Sequence, residues 1–202
     1  MTTSLLRRAA AATAGLAAVL STVAVAAPAS AEVFGHTDPA RDVTAIDGPR
    51  PGVTNGDIRG VRFEHARRNV TLRATFRDLA REGAGLQQYV FVETPVTSYQ
   101  FLVVAGPGGW RGEFIPFGDD AGCGGTEFKL DYGRDVFTLS LPRGCVGNPQ
   151  WVKVGLATVT GFAQEGSEQV LVDDALQRGF AFNQETITLS PRLSRAGGSY
   201  TG

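Results

Sequence analysis

From residue 69 to residue 78, apolar and polar side chains alternate without a break. Val70, Leu72, Ala74 and Phe76 fall on one side, and Thr71, Arg73, Thr75 and Arg77 on the other. A period of two is the mark of a half-buried strand with one wet face. A helix would repeat its apolar face roughly every fourth residue instead. The same alternation returns at 126–132, through Phe128, Leu130 and Tyr132, and at 136–141, through Phe137, Leu139 and Leu141. Val152, Val154 and Leu156 mark a longer strand over 151–160. Further runs at 57–65, 88–93, 99–105 and 110–117, with short closing strands at 180–182 and 186–189, bring the total to about ten. The 26 glycines and 10 prolines lie mostly between the runs, as in Gly106-Pro107-Gly108-Gly109. Ala66-Arg67-Arg68-Asn69 and Tyr132-Gly133-Arg134-Asp135 suit hairpin turns. Many short, evenly spaced strands predict an all-β fold, a sandwich of two packed antiparallel sheets of jelly-roll type.

The first 31 residues do not share this pattern. Arg7 and Arg8 precede an apolar stretch from Ala9 to Ala27, and Ala29-Ser30-Ala31 closes it. A charged start, a weakly apolar middle and an A-x-A end read as a secretory signal peptide over 1–31, cut before Glu32. The stretch is short and alanine-rich for a membrane span. Cleavage leaves about 170 residues, enough for one domain with a sizeable core and too few for two ordinary ones. We expect an extended N-terminal segment without regular structure over 32–56, the sandwich over 57–189, and a flexible tail over 190–202. The 32–56 assignment rests on the turn signals Asp38-Pro39, Gly48-Pro49, Pro51-Gly52 and Asn55-Gly56.

Export fixes the reading of the only two cysteines, Cys123 and Cys145. In an oxidising compartment an isolated pair forms a disulfide, here one that flanks the hairpin predicted over 126–141. With no histidine between them, a zinc site is disfavoured. The chain has 19 basic and 20 acidic residues, and the signal removes two of the basic ones. A mildly acidic surface argues against nucleic acid and against anionic lipid as partners. The expected product is a monomer secreted to the extracellular space, with no membrane span after cleavage.

Several short tracts carry a family likeness. They are Asp38-Pro39-Ala40-Arg41-Asp42-Val43, Asn55-Gly56-Asp57-Ile58, Val61-Arg62-Phe63-Glu64-His65, Val70-Thr71-Leu72 and Phe76-Arg77-Asp78-Leu79. Together they resemble the N-terminal half of small exported bacterial β-sandwich proteins. These are similar to DOMON domains and to family-nine-type carbohydrate-binding modules. The likeness covers residues 36–80. It implies a sandwich fold and ligand binding, and it implies no reaction. DOMON domains that bind haem use an axial methionine. The only methionine here is Met1, so that role is not carried over.

Catalytic patterns are weak. The histidines are His36 and His65 only, and no G-x-S-x-G is present. Glu93, Glu113 and Asp131 lie on strands, but their spacing selects no pair for glycoside hydrolysis. The carboxylates Asp38, Asp42, Asp47 and Asp57, with Asp173 and Asp174 in a late acidic loop, point elsewhere. Calcium takes about six to eight oxygens, largely from carboxylates and carbonyls. A structural calcium held by Asp38, Asp42, Asp173 and Asp174 would clip the N-terminal segment to the late loop. The alternative is that these aspartates cap turns and face water. Trp110, beside Gly108-Gly109, is the candidate exposed ring for stacking on a sugar. The expected function is a secreted, non-enzymatic module that binds an extracellular ligand, a glycan by class. The rival reading is an interaction or structural domain whose partner is an envelope protein.

Overall fold

Alternating side chains turn into paired strands. The computed structural model describes residues 31–45, 48–50, 52–117, 123–161, 170–180 and 187–195. The strands in the N-terminal part are β1 (Glu32–Thr37), β2 (Thr44–Ala45), β3 (Gly48–Pro49), β4 (Ile58–His65) and β5 (Asn69–Phe76). The middle holds β6 (Leu86–Glu93), β7 (Ser98–Ala105), β8 (Glu113–Pro116), β9 (Glu127–Asp131) and β10 (Val136–Pro142). A short 3₁₀ turn, Arg143–Val146, leads into β11 (Trp151–Thr160), β12 (Leu171–Asp174) and β13 (Leu193–Ser194). One sheet has the order β1-β4-β5-β10-β9. The other runs β3-β2-β12-β11-β6-β7-β8, and β13 pairs with β11. Every pairing between these strands is antiparallel. The protein is an all-β sandwich.

Core positions follow the expected phase. Val70, Leu72, Ala74 and Phe76 of β5 point inward, as do Phe137, Leu139 and Leu141 of β10 and Val152, Val154 and Leu156 of β11. Phe63, Phe76, Phe101 and Phe137 are fully buried in the layer between the sheets. Each large apolar side chain so buried stabilises the fold by about 1.5–3 kcal/mol. A smaller cluster of Ala157, Val172 and Ile187 covers part of the outer face of the second sheet. There the chain crosses β11 so closely that a Cβ on Gly155 would lie 2.5 Å from the Thr188 carbonyl oxygen.

Five expectations need correction. Residues 32–56 hold three strands, β1 to β3. The period of two is faint in β1 because it is an edge strand whose side chains stay exposed or half-exposed, so backbone pairing with β4 holds it in place. The late acidic stretch contains β12, so Asp173 and Asp174 sit on a strand, and their charges mask the apolar Leu171 and Val172 beside them. Residues 190–195 are no tail. Ser190 and Leu193 are buried, and β13 pairs with Trp151 and Val152. Trp110–Gly112 belong to a turn before β8. Residues 1–30 of the signal peptide expected over 1–31, the end of the expected tail at 196–202 and the segment 181–186 lie outside the described residues, and 187–189, expected as part of a closing strand, are not strand.

Cys123 and Cys145 form a disulfide with Cα atoms 5.1 Å apart. Cys123 precedes β9 and Cys145 lies in the 3₁₀ turn after β10, so the bridge closes the open end of that hairpin. β9 is a sheet edge, held by hydrogen bonds on one side only. Closing a loop across a separation of 22 residues contributes about 3 kcal/mol by restricting the unfolded chain. We therefore expect a Cys123→Ser/Cys145→Ser double variant to lose about 3 kcal/mol in urea denaturation. A loss below about 1 kcal/mol would mean the unfolded chain is already restricted there.

Candidate metal centre

Three carboxylates meet at one end of the sandwich. Asp38 follows β1, Asp42 precedes β2, and Asp173 lies on β12. One oxygen of each lies within 4.8 Å of the others, and all three residues are buried. The turn between Asp38 and Asp42 brings the first two together. Arg41 adopts a left-handed conformation with φ of 67°, and its N–H donates to Asp57 Oδ2 at 3.0 Å. Such a conformation is costly for a residue with a Cβ and persists where its surroundings hold it. Asp173 is brought beside them because β12 pairs with β2, Val172 lying opposite Thr44.

The hydrogen bonds around the cluster are incomplete in a way that points inward. Asp173 Oδ2 accepts from the Ile58 N–H at 2.7 Å, and Asp42 Oδ2 accepts from the Gly179 N–H at 3.0 Å. Asp57 Oδ2 accepts from Arg77 Nε at 2.9 Å. The remaining oxygens, both on Asp38 and Oδ1 of Asp42, Asp57 and Asp173, are buried with no hydrogen-bond partner among the described residues. Asp38 is only 4 % exposed and Asp173 only 1 %. An ionised carboxylate in that setting is strongly disfavoured unless a counter-charge reaches it. Burial, then the charges of Asp173 and Asp42, push the Asp38 carboxyl up to about 9. Burial pushes Asp173 up to about 8, although the Ile58 N–H opposes this. Burial also raises Asp42, against the Gly179 N–H and the charge of Arg178. These groups can hold protons, or they can hold a cation.

Asp174 does not belong to the cluster. Side chains of neighbouring strand residues point to opposite faces, and both oxygens of Asp174 are engaged. They accept from the Leu176 N–H at 3.0 Å and the Thr188 N–H at 2.8 Å. Asp57, which sequence reasoning did not put in the ligand set, lies near the three but is held by others, its Oδ2 accepting from the Arg41 N–H and from Arg77 Nε. The signal for it was a lone acid just ahead of the apolar run that starts at Ile58. Asp47 lies outside the described residues.

No protein-family model matches the chain, and no curated protein matches it significantly.

The other candidates fall apart from one another. Trp110 is half-buried, packs on the core and meets Tyr132 edge-on with ring centroids 6.1 Å apart. It is not the exposed ring expected, because the turn before β8 folds it inward, and its carbonyl accepts from the Tyr132 hydroxyl at 2.9 Å. His65 is fully buried. Its Nδ1–H donates to the Leu193 carbonyl at 2.9 Å, and burial holds its pKa below the ordinary histidine value. Glu93 pairs with Lys153 at 2.7 Å, and Asp131 pairs with Lys129. Glu113 is exposed on the edge strand β8.

Proposed function

We propose that this chain is an exported, non-catalytic β-sandwich module that binds an extracellular glycan, and that a calcium ion held by Asp38, Asp42 and Asp173 clips its N-terminal segment to β12. The metal part rests on one observation, the four buried oxygens of Asp38, Asp42 and Asp173 without a donor. A hard divalent cation satisfies such oxygens at once, and calcium accepts irregular oxygen cages where magnesium demands a near-ideal octahedron with several waters. Carboxylate without thiolate or imidazole disfavours the softer transition metals. The clip makes structural sense. Asp38 and Asp42 bracket the crossing from the first sheet, through β1, to the second, through β2. A cation there fixes that crossing and ties it to β12. The glycan part is supported by the likeness of residues 36–80 to family-nine-type modules, and export by the N-terminal pattern together with the disulfide.

Calorimetric titration of calcium into chelator-stripped protein tests the centre. The expected result is one ion bound per chain, with Asp173→Asn removing the binding. No calcium binding by the wild-type protein would reject the metal reading.

A further inference from the structure

We propose that the cleft beside the carboxylate centre binds the carboxylate of an acidic sugar, and that a cation in the centre strengthens that binding. The inference rests on the calcium reading above and assigns the ligand class and its place. The cleft has a volume of about 470 Å³, and Arg41, Asp42, Pro49, Arg178 and Phe180 contribute to its walls. This is within the ordinary size of small-ligand sites.

The walls are built from the same two segments as the cage. Arg41 lies in the Asp38–Asp42 turn. Arg178 and Phe180 belong to the turn that follows β12. The two segments are stitched together at the cleft. Gly179 N–H donates to Asp42 Oδ2 at 3.0 Å, and Phe180 N–H donates to Thr44 Oγ1 at 3.1 Å. Gly179 has φ of +68°, and a Cβ there would lie 2.8 Å from Thr44 Oγ1. Only glycine allows this approach without displacing Thr44.

The charges select an anion. Arg41 and Arg178 are exposed, and neither side chain has an ion-pair partner among the described residues. Guanidinium groups match carboxylates through paired, charge-assisted hydrogen bonds. Pro49 and Phe180 supply apolar walls for the C–H face of a sugar ring. A second cleft, on the outer face of the first sheet, is a weaker candidate. Its Arg62 and Lys129 already pair with Glu64 and Asp131.

Coupling to the cation follows from Asp42, which belongs to both the cage and the cleft wall. With the cage empty of cation, an ionised Asp42 offsets the two arginines. A bound cation neutralises it and leaves the cleft positive. The cation also holds the turn that carries Arg41. Each ligand then raises the affinity for the other, as linkage requires.

Cellobiouronic acid and cellobiose, which differ by one carboxylate, provide the test. Both are titrated into calcium-saturated and chelator-stripped protein, with matched calcium on both sides. The acid should bind the calcium-loaded protein and bind the stripped protein more weakly, and cellobiose should bind about tenfold more weakly or not at all. Arg178→Gln should weaken the acid about tenfold or more while calcium affinity is kept. Equal binding of both sugars, no binding of the acid to calcium-loaded protein, or an unchanged Arg178→Gln variant would overturn the proposal and leave the calcium centre standing. Failure of calcium itself to bind removes the reading beneath it.

Discussion

Removing calcium is expected to lower the melting temperature by roughly 8–16 °C relative to protein in calcium at about a thousand times its dissociation constant. A ligand bound only by the folded chain at that excess contributes about 4 kcal/mol. For a domain of this size each kcal/mol moves the midpoint by about 2–4 °C. The unfolded chain cannot compete for the ion, because Asp38 and Asp173 are 135 positions apart by their residue numbers and meet only when β12 pairs beside β2. Asp38→Asn separates the metal from the mere presence of acids. It deletes the calcium response, since neither of the two Asp38 oxygens that lack a partner remains as a charged ligand. It also makes the stripped protein more stable than stripped wild type at neutral pH. The folded wild type must keep the Asp38 proton that the unfolded chain gives up, a cost the amide does not carry, and the amide can donate to Asp42 or Asp173. The two effects have opposite signs in one variant. A general loss of packing would lower both melting temperatures instead. An Asp38→Asn protein that still gains stability from calcium would remove Asp38 from the cage.

Much of this was legible in the chain. The alternation over 69–76 and 136–141 set the phase of β5 and β10, because a single buried face imposes a period that sequence displays directly, and the bounds of β11, buried on both faces in its middle, match the run expected over 151–160. β1, β2 and β13 were not legible. They are edge or very short strands, and pairing, not a run of apolar side chains, holds them. The site was half legible. Asp38, Asp42 and Asp173 stand out as acids next to turns or apolar residues. That they converge, and that Asp174 turns away, depends on β12 being a strand seated between β2 and β11. A loop would have allowed both acids to reach the cage, whereas a strand admits one. Trp110 misled for a related reason. Flanking glycines suggest exposure, yet the turn carries the ring back against Tyr132.

The stripped protein should lose stability as pH rises, opposite to what carboxylates paired with cations would give. The folded-state pKa of Asp38 is raised from 3.8 to about 9, and that of Asp173 from 3.8 to about 8, chiefly by burial and then by the neighbouring acids. Well below the unfolded value of 3.8 both groups are protonated in the folded and unfolded chains, so they cost nothing. As pH rises, the unfolded chain ionises first while the folded chain keeps its protons. Each group then lowers folding stability by up to about 1.4 kcal/mol per pH unit until its folded pKa is passed. Asp42 and Asp174 are raised by burial as well and act in the same sense. His65 opposes them at lower pH. Its pKa is depressed by burial, so folding gains as pH rises through the ordinary histidine range near 6.5. The clean window therefore lies above histidine and runs from about pH 7 to about pH 8 for both acids and on to about pH 9 for Asp38. Calcium reverses the sign there, because binding displaces the retained protons and tightens as pH rises. Melting curves of resin-stripped and calcium-saturated protein should thus separate with increasing pH across that window. Parallel curves, or a stripped protein that grows more stable toward pH 9, would show that the Asp38 and Asp173 carboxyls are already ionised and compensated without a metal.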